Sequence, residues 1–270
     1  MIKELIEYKG LVYELAIRDL KLRYRRPFLG FCWMLIIPFC TALIYKILFS
    51  DFMHATSGKY PFFIHLITAL LPWNYLVSSV QAANKSILDS KNIIHQISFP
   101  KYLLPISIVF ANLINFLPTL LVLLVFFVIF NIKVSVLIIF LPVVILMQTF
   151  LIMGLSLLVS SLQVVYRDVE YIVQITLTAL FFLTPGVYTL EEIINKTNPL
   201  FIKIYMFNPL VGILNLYRAV FISGYLNVLP KEANFLNTLI IPFIASIAIL
   251  FIGYLIFNSY EKKFPDYLNV

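Results

Sequence analysis

Few side chains in this sequence could carry chemistry. His54, His65 and His95 are scattered with no metal-ligand spacing, so no metal centre is expected. Cys32 and Cys40 would lie about 12 Å apart along one helix, beyond disulfide reach, and read as inert thiols. A phosphate-cradling loop needs two glycines five residues apart followed by lysine, because only bare backbone lets N–H groups approach phosphate closely. The glycines at 10, 30, 58, 154, 186, 212, 224 and 253 are never closer than twelve residues, so the chain holds no ATP-hydrolysing loop. No G-x-S-x-G turn or paired carboxylates within the apolar segments offer a hydrolase or glycosidase centre. The expectation is a protein that works without catalytic residues, bound metal or cofactor of its own.

The elements that hold these residues are membrane spans. Of 270 residues, 61% are hydrophobic and only 12% charged, with a mean hydropathy of +0.96. A soluble chain would carry about 25% charged residues. Apolar runs long enough to cross a hydrocarbon core of about 30 Å recur throughout. The reading is a single all-α transmembrane domain over 1–270, with spans at 31–49, 60–80, 102–130, 135–160, 171–187 and 236–258. Pro105 and Pro118 predict a tilted or kinked third span.

Residues 1–26 read as one amphipathic helix ended by Pro27, with Ile6, Tyr13, Ile17, Leu20 and Tyr24 on its apolar face. Its basic residues Arg18, Lys21, Arg23 and Arg25 suit a helix lying at the cytoplasmic interface near anionic lipid headgroups. Acidic residues from Glu4 to Asp19 exclude a signal peptide. Residues 81–101 form a loop and 259–270 a tail. Residues 188–235 are too polar at Glu191, Glu192, Asn195, Lys196 and Asn198 for a plain span, yet apolar from Leu210 to Leu226. That pattern fits re-entrant extracytoplasmic helices, with an ordinary loop bearing one amphipathic helix as the alternative.

Charge sets the orientation. With the N-terminus cytoplasmic, thirteen basic residues lie inside, from Lys3 to Lys263, against six outside: Lys59, Lys133, Lys196, Lys203, Arg218 and Lys231. The bias predicts both termini in the cytoplasm. The net charge of +7 therefore reports membrane orientation and not a nucleic-acid partner. The six spans contain no Asp or Glu; their one basic residue is Lys46, at an outer end where it can snorkel. His65 reads as a hydrogen-bonded structural residue. A proton or ion relay needs buried ionisable groups, so the driving energy is expected from another subunit.

Four segments together resemble one family. They are RDLKLRYRRPFLGFCWMLIIPF (Arg18 to Phe39), NIIHQISFPKYLLPI (Asn92 to Ile106), VYRDVEYIVQITLTALFFLTPGVY (Val165 to Tyr188, continuing to Asn208-Pro209-Leu210 and Arg218) and FNSYEKKFPDYL (Phe257 to Leu268). In this order they resemble the permease subunits of ATP-binding-cassette exporters for O-antigen, capsule and teichoic acid polymers. The chain differs from the usual family pattern at Pro27, His95-Gln96, Lys101-Tyr102 and Pro265. The resemblance implies a homodimer in the bacterial cytoplasmic (inner) membrane, paired with two copies of an ABC ATPase subunit that binds the ATP and Mg. It implies export of a polyprenyl-diphosphate-linked polysaccharide, a channel lined by the first and fifth spans of both protomers, and a loop between spans two and three that rests in a groove of the ATPase.

Candidate residues follow. In the loop, Asn84, Asp89, Ser90, Lys91, Asn92, Ile93 and Ile94 combine polar groups with apolar knobs that a moving partner could grip, a solvated connector being the bland alternative. On the fifth span Tyr171, Gln174, Thr178, Phe181, Pro185 and Tyr188 recur at intervals of three or four, away from Ile172, Ile175 and Ala179. That mixture of rings and hydrogen-bonding groups suits a sliding sugar chain; helix packing is the alternative. The first span offers Met34, Pro38, Thr41, Tyr45 and Leu48 on one face, with Thr41 and Tyr45 preferred for the channel and Trp33 as an interfacial anchor. The competing functions are an integral-membrane enzyme of polysaccharide assembly, for which only Glu191, Glu192 and Arg218 could serve, and a drug- or lipid-exporting permease of the same type.

Overall fold

The computed structural model describes residues 2–24, 30–53, 56–57, 60–96, 98–186, 188, 198, 204–227, 235–264 and 267. Among them the protein is helical apart from a two-residue hairpin pairing Thr56–Ser57 with Tyr60–Pro61. The helices are α1 (Ile2–Glu7), α2 (Lys9–Tyr24), α3 (Trp33–Tyr45), α4 (Phe62–Asn84), α5 (Ser86–Asp89), α6 (Lys91–Gln96), α7 (Leu103–Ile129), α8 (Leu141–Val165), α9 (Val169–Leu183), α10 (Pro209–Phe221) and α11 (Phe235–Glu261).

Among the described residues, four helical segments are long and apolar enough to cross a membrane: Phe62–Asn84, Leu103–Ile129, Val136–Val165 and Thr238–Glu261. Among the described residues each of the six expected spans contains a helix, but the helical stretches at Trp33–Phe49 and Val169–Leu183 are shorter than these four. The 15 residues of α9 reach about 22 Å, short of a hydrocarbon core of about 30 Å. Thr184-Pro185-Gly186, beyond its C-terminal end, does not continue the helix. After α3 the helix widens into a π-turn over Lys46–Phe52, where Lys46 Nζ pairs with Asp51 at 2.8 Å.

The N-terminal segment departs from the expected single helix, breaking between α1 and α2. Its apolar face is also displaced. Ile6 and Tyr13 are exposed, while Val12, Ala16 and Leu20 are buried, with Ala16 and Leu20 against Ala111 of α7. The apolar residues run almost all round this helix, so tertiary packing against α7, and not periodicity alone, chose the stripe. Of its basic residues, Arg18, Lys21 and Arg23 are exposed, and Arg23 also donates to Asn112 Oδ1 and Asp19, both at 2.9 Å. Arg25 and Pro27 lie outside the described residues.

α4 is the central helix, 83% buried across its apolar window, where α11 is 17% buried. It is also the most polar span, which fits its place: a lipid-facing helix could not satisfy such groups. Gln148 Nε2 of α8 donates to the Pro72 carbonyl at 2.7 Å, Tyr217 of α10 donates to Gln148 Oε1 at 2.6 Å, and the Tyr75 and Thr149 hydroxyls pair at 3.2 Å. α8 and α11 cross back to back at Gly154 and Gly253; a Cβ on either would overlap the other helix's backbone.

Where the sequence allows a loop or a re-entrant pair, α10 is buried from Leu210 to Phe221, capped by Asn208 Oδ1 accepting from Leu210 N–H at 3.0 Å with Pro209 in the first turn. Its end is tied to the α7–α8 turn, where Ser135 N–H donates to the Phe221 carbonyl at 3.1 Å. Asn131 takes φ +52° after α7, a left-handed conformation that Asn tolerates. Residues 189–197, with Glu191 and Glu192, lie outside the described residues.

Candidate functional site

The bundle has two polar ends. At one, the C-terminus of α4, the segment 81–101, the start of α9 and the end of α11 meet. Lys85 bonds Glu170 at 2.7 Å, and this carboxylate partner holds the lysine's pKa above its ordinary value. Asn84 is buried, its Nδ2 donating to Gln163 Oε1 at 3.2 Å, while Gln163 Nε2 donates to the Arg167 carbonyl at 3.0 Å. Ser90 is buried too, and its carbonyl starts the turn into α6 by accepting from Ile93 and Ile94 N–H at 3.0 Å. Asp89 and Asn92 are exposed, and Lys91, Ile93 and Ile94 partly so. The segment thus presents a rim of Asp89, Lys91, Asn92, Ile93 and Ile94, with Asn84 and Ser90 turned to internal packing.

Both flanks of this segment are anchored. The Tyr102 hydroxyl donates to Glu4 Oε2 at 2.7 Å, holding the Glu4 carboxyl below its ordinary pKa. Lys101 N–H donates to Glu261 Oε1 at 3.2 Å, and Lys101 Nζ sits 5.7 Å from the Phe264 ring centre. Phe264 in turn packs edge-on against Phe257. The N-terminal helices, the end of the loop and the C-terminal tail therefore form one clasp.

Above this end a crevice of mixed polar and apolar lining enters the bundle. One cavity of about 220 Å³ lies between α3, α4 and α7, where Arg23, Thr41, Asn74, Ser78, Asn112, Asn115 and Thr119 are set among the apolar Met34, Ile37, Pro38, Leu71, Tyr75 and Phe116. A second, of about 460 Å³, shares Arg23 and Ser78 and opens past Gln81, Asn84 and Lys85 to Glu170, Val173 and Gln174 of α9. The sequence points to Thr41 and Gln174 for the channel, with Met34 and Pro38 on the Thr41 face, and the cavities also take in Arg23 of the expected interface helix and Asn84 of the expected coupling loop. Asn74, Ser78, Gln81, Asn112, Asn115 and Thr119 were missed. Their signal was available: each trio lies at helical spacing on its span.

The remaining candidates on the fifth span divide. α9 packs through Val169, Val173 and Leu177, leaving Tyr171, Gln174 and Thr178 exposed, along with Ile172 and Ile175. Phe181 instead packs 5.4 Å from Trp73, and the Tyr188 hydroxyl donates to the Phe182 carbonyl at 2.9 Å and meets that of Tyr205 at 3.1 Å. Tyr45 packs 6.1 Å from Phe49 and does not border the crevice.

At the opposite end, Arg218 is fully buried and held by carbonyls: Nε donates to His65 at 3.3 Å, and Nη2 to Gly186 at 3.2 Å and to Pro185. His65 Nε2 donates to the Tyr188 carbonyl at 3.3 Å, which fixes that nitrogen as the protonated one. Arg218 is thus an internal brace between α4, α10 and the break after α9, and not a group presented to a substrate.

Comparison with known proteins agrees with this architecture. Residues 10–222 match the model of the ABC-2 type transporter family. The O-antigen export system permease protein RfbA of Myxococcus xanthus is 31% identical over 267 residues, covering 98% of both chains. A Klebsiella pneumoniae protein of the same name is 28% identical over 264 residues, covering 96% of both. With the family match spanning most of its length and the relatives aligned from end to end, this chain is a member of the ABC-2 type transporter family.

Proposed function

We propose that this chain is the channel-forming permease subunit of an ATP-driven exporter that moves lipid-linked polysaccharide across the bacterial cytoplasmic membrane. O-antigen is the first candidate cargo, with capsule or teichoic acid polymers behind it. The observation that carries this reading is the 31% identity over 98% of both chains to a protein named as an O-antigen export permease. The working unit is a homodimer with two copies of a separate ABC ATPase, which would bind the ATP and Mg; this chain contributes no phosphate loop. In keeping with a homodimer, α3 and α9 leave most of their surface uncovered: α3 buries only Ala42, and α9 only Val169, Val173 and Leu177.

In this reading six spans cross the membrane, α3 and α9 completing their crossing against the second copy. α10 dips into the outer side and returns. The end bearing Lys85, Lys91, Lys101, Arg167, Lys262 and Lys263 faces the cytoplasm, with both termini. The rim Asp89–Ile94 meets the ATPase, and the clasp at Glu4, Tyr102 and Glu261 passes its movement to α7 and α11. Expression of the chain with its ATPase should restore surface polysaccharide in cells lacking an O-antigen export permease and ATPase. Restoration by the ATPase alone, or with its catalytic glutamate replaced, would overturn the reading.

A further inference from the structure

We propose that the crevice between α3, α4, α7 and α9 is the cytoplasmic part of the substrate path and that it is built for a polymer with uncharged, hydroxyl-rich repeats. This rests on the proposed export function and narrows its cargo.

The first observation is on α4. Within Phe62–Asn84 the exposed residues are Asn74, Ser78 and Gln81, at positions i, i+4 and i+7 on one face. Every other side chain of this helix is buried or partly so. A span whose only open face is polar cannot turn that face to lipid, where each unsatisfied amide or hydroxyl costs several kcal/mol. The face opens instead onto the two cavities. Across from it stand Asn112, Asn115 and Thr119 of α7, Thr41 of α3 and Gln174 of α9, so polar groups reach the crevice from four helices, set among Ile37, Leu71, Tyr75 and Phe116, which help make the first cavity's wall mostly apolar.

The second observation is charge. The charged residues lining the two cavities are Arg23, Lys85 and Glu170. Arg23 is paired with Asp19 at 2.9 Å and further engaged by Asn112, and Lys85 is paired with Glu170 at 2.7 Å. Among the described residues, the lining therefore presents no cation without a carboxylate beside it. Pores for anions and phosphates carry Lys or Arg to replace the lost hydration. Uncharged amides and hydroxyls spaced among apolar side chains do different work. Each amide both donates and accepts, as does each sugar hydroxyl, so exchange of partners keeps the cost of moving one repeat forward low. A phosphate or uronate in every repeat would lose water here with nothing to replace it.

Two measurements test this on the chain assembled with its ATPase. In the first, Cys32 and Cys40 are replaced by Ala and single cysteines are placed at Asn74, Ser78 or Gln81, with Leu121→Cys on the exposed apolar side of α7 as control. Water-soluble methanethiosulfonates should modify the three crevice positions and spare the control. Cationic and anionic reagents should react in the same ratio as with a free thiol. An anion-binding path would speed the anionic reagent by about tenfold or more through local concentration. That result, or unreactive cysteines showing a stripe sealed against a second copy, would overturn the proposal. In the second, the polymer accumulating inside cells that lack the chain is analysed. Repeats free of phosphate and acidic sugars are expected, and charged repeats would refute this inference while leaving the export function standing. No accumulated polymer would instead remove the export function itself.

Discussion

Arg218 shows how one residue can set the geometry of several helices. Its guanidinium caps carbonyls on α4 and on the Pro185-Gly186 break, and it is fully buried. Arg218→Met would take this donor from the Pro185 and Gly186 carbonyls, at a cost of about 1–3 kcal/mol for each buried group orphaned, while the His65 carbonyl keeps the Thr68 hydroxyl. The expected outcome is a lower thermal midpoint of the detergent-solubilised protein and less assembled transporter, with Arg218→Lys intermediate because a lysine cannot reach all three carbonyls in a plane. An unchanged midpoint would mean the brace is dispensable. The sequence made Arg218 visible as an isolated cation in an apolar segment but not its burial, because the carbonyls that hold it come from 33 and 153 residues away. Asn84 was legible as a polar loop residue, yet its partner Gln163 belongs to another span.

At the scale of elements, the spans were legible because long apolar runs leave little else to form. The second, third, fourth and sixth agree with the helices to within a few residues. What periodicity could not supply was which face packs. α9 carries apolar and polar residues on nearly all sides, and only contact with α4 and α8 selects Val169, Val173 and Leu177. α8 and α11 show the converse, since Gly154 and Gly253 are informative only once the helices are seen to cross there. Gly154→Leu would drive a side chain into the backbone of Ile249 and Leu250. A cost of about 3 kcal/mol is expected, read as loss of monodisperse protein on size-exclusion chromatography.

The rim of the segment between α4 and α7 gives a functional counterpart. Ile93→Asp with Ile94→Asp should leave membrane insertion intact and uncouple ATP hydrolysis from export, because these are its two partly exposed apolar residues. Normal export in that double variant would place the ATPase contact elsewhere. The clasp behind it responds to pH. The folded-state pKa of Glu4 is lowered by Tyr102, so the contact contributes fully above the unfolded carboxylate value of about 4.3. It is lost as pH falls through the lowered folded value. Hydrogen exchange in α1 should rise over that acid window, and Tyr102→Phe should shift the rise to higher pH; an unshifted rise would show that Glu4 does not titrate through this contact.

For the whole molecule, orientation is the first matter to establish, because the basic end must face the ATPase. In sealed cells, single cysteines at Lys133 and Lys262 of a Cys-free variant should be labelled from outside and only after permeabilisation, respectively. External labelling at Lys262 would reverse the topology. The most direct measurement of the central claim is transport itself. Inverted membrane vesicles containing the chain and its ATPase would be supplied with radiolabelled lipid-linked glycan, and protected label in the lumen counted with and without ATP. The account predicts ATP-dependent accumulation of glycan of unchanged length, abolished when the catalytic glutamate of the ATPase is replaced. Accumulation independent of ATP, or a glycan lengthened or cleaved without crossing, would contradict it.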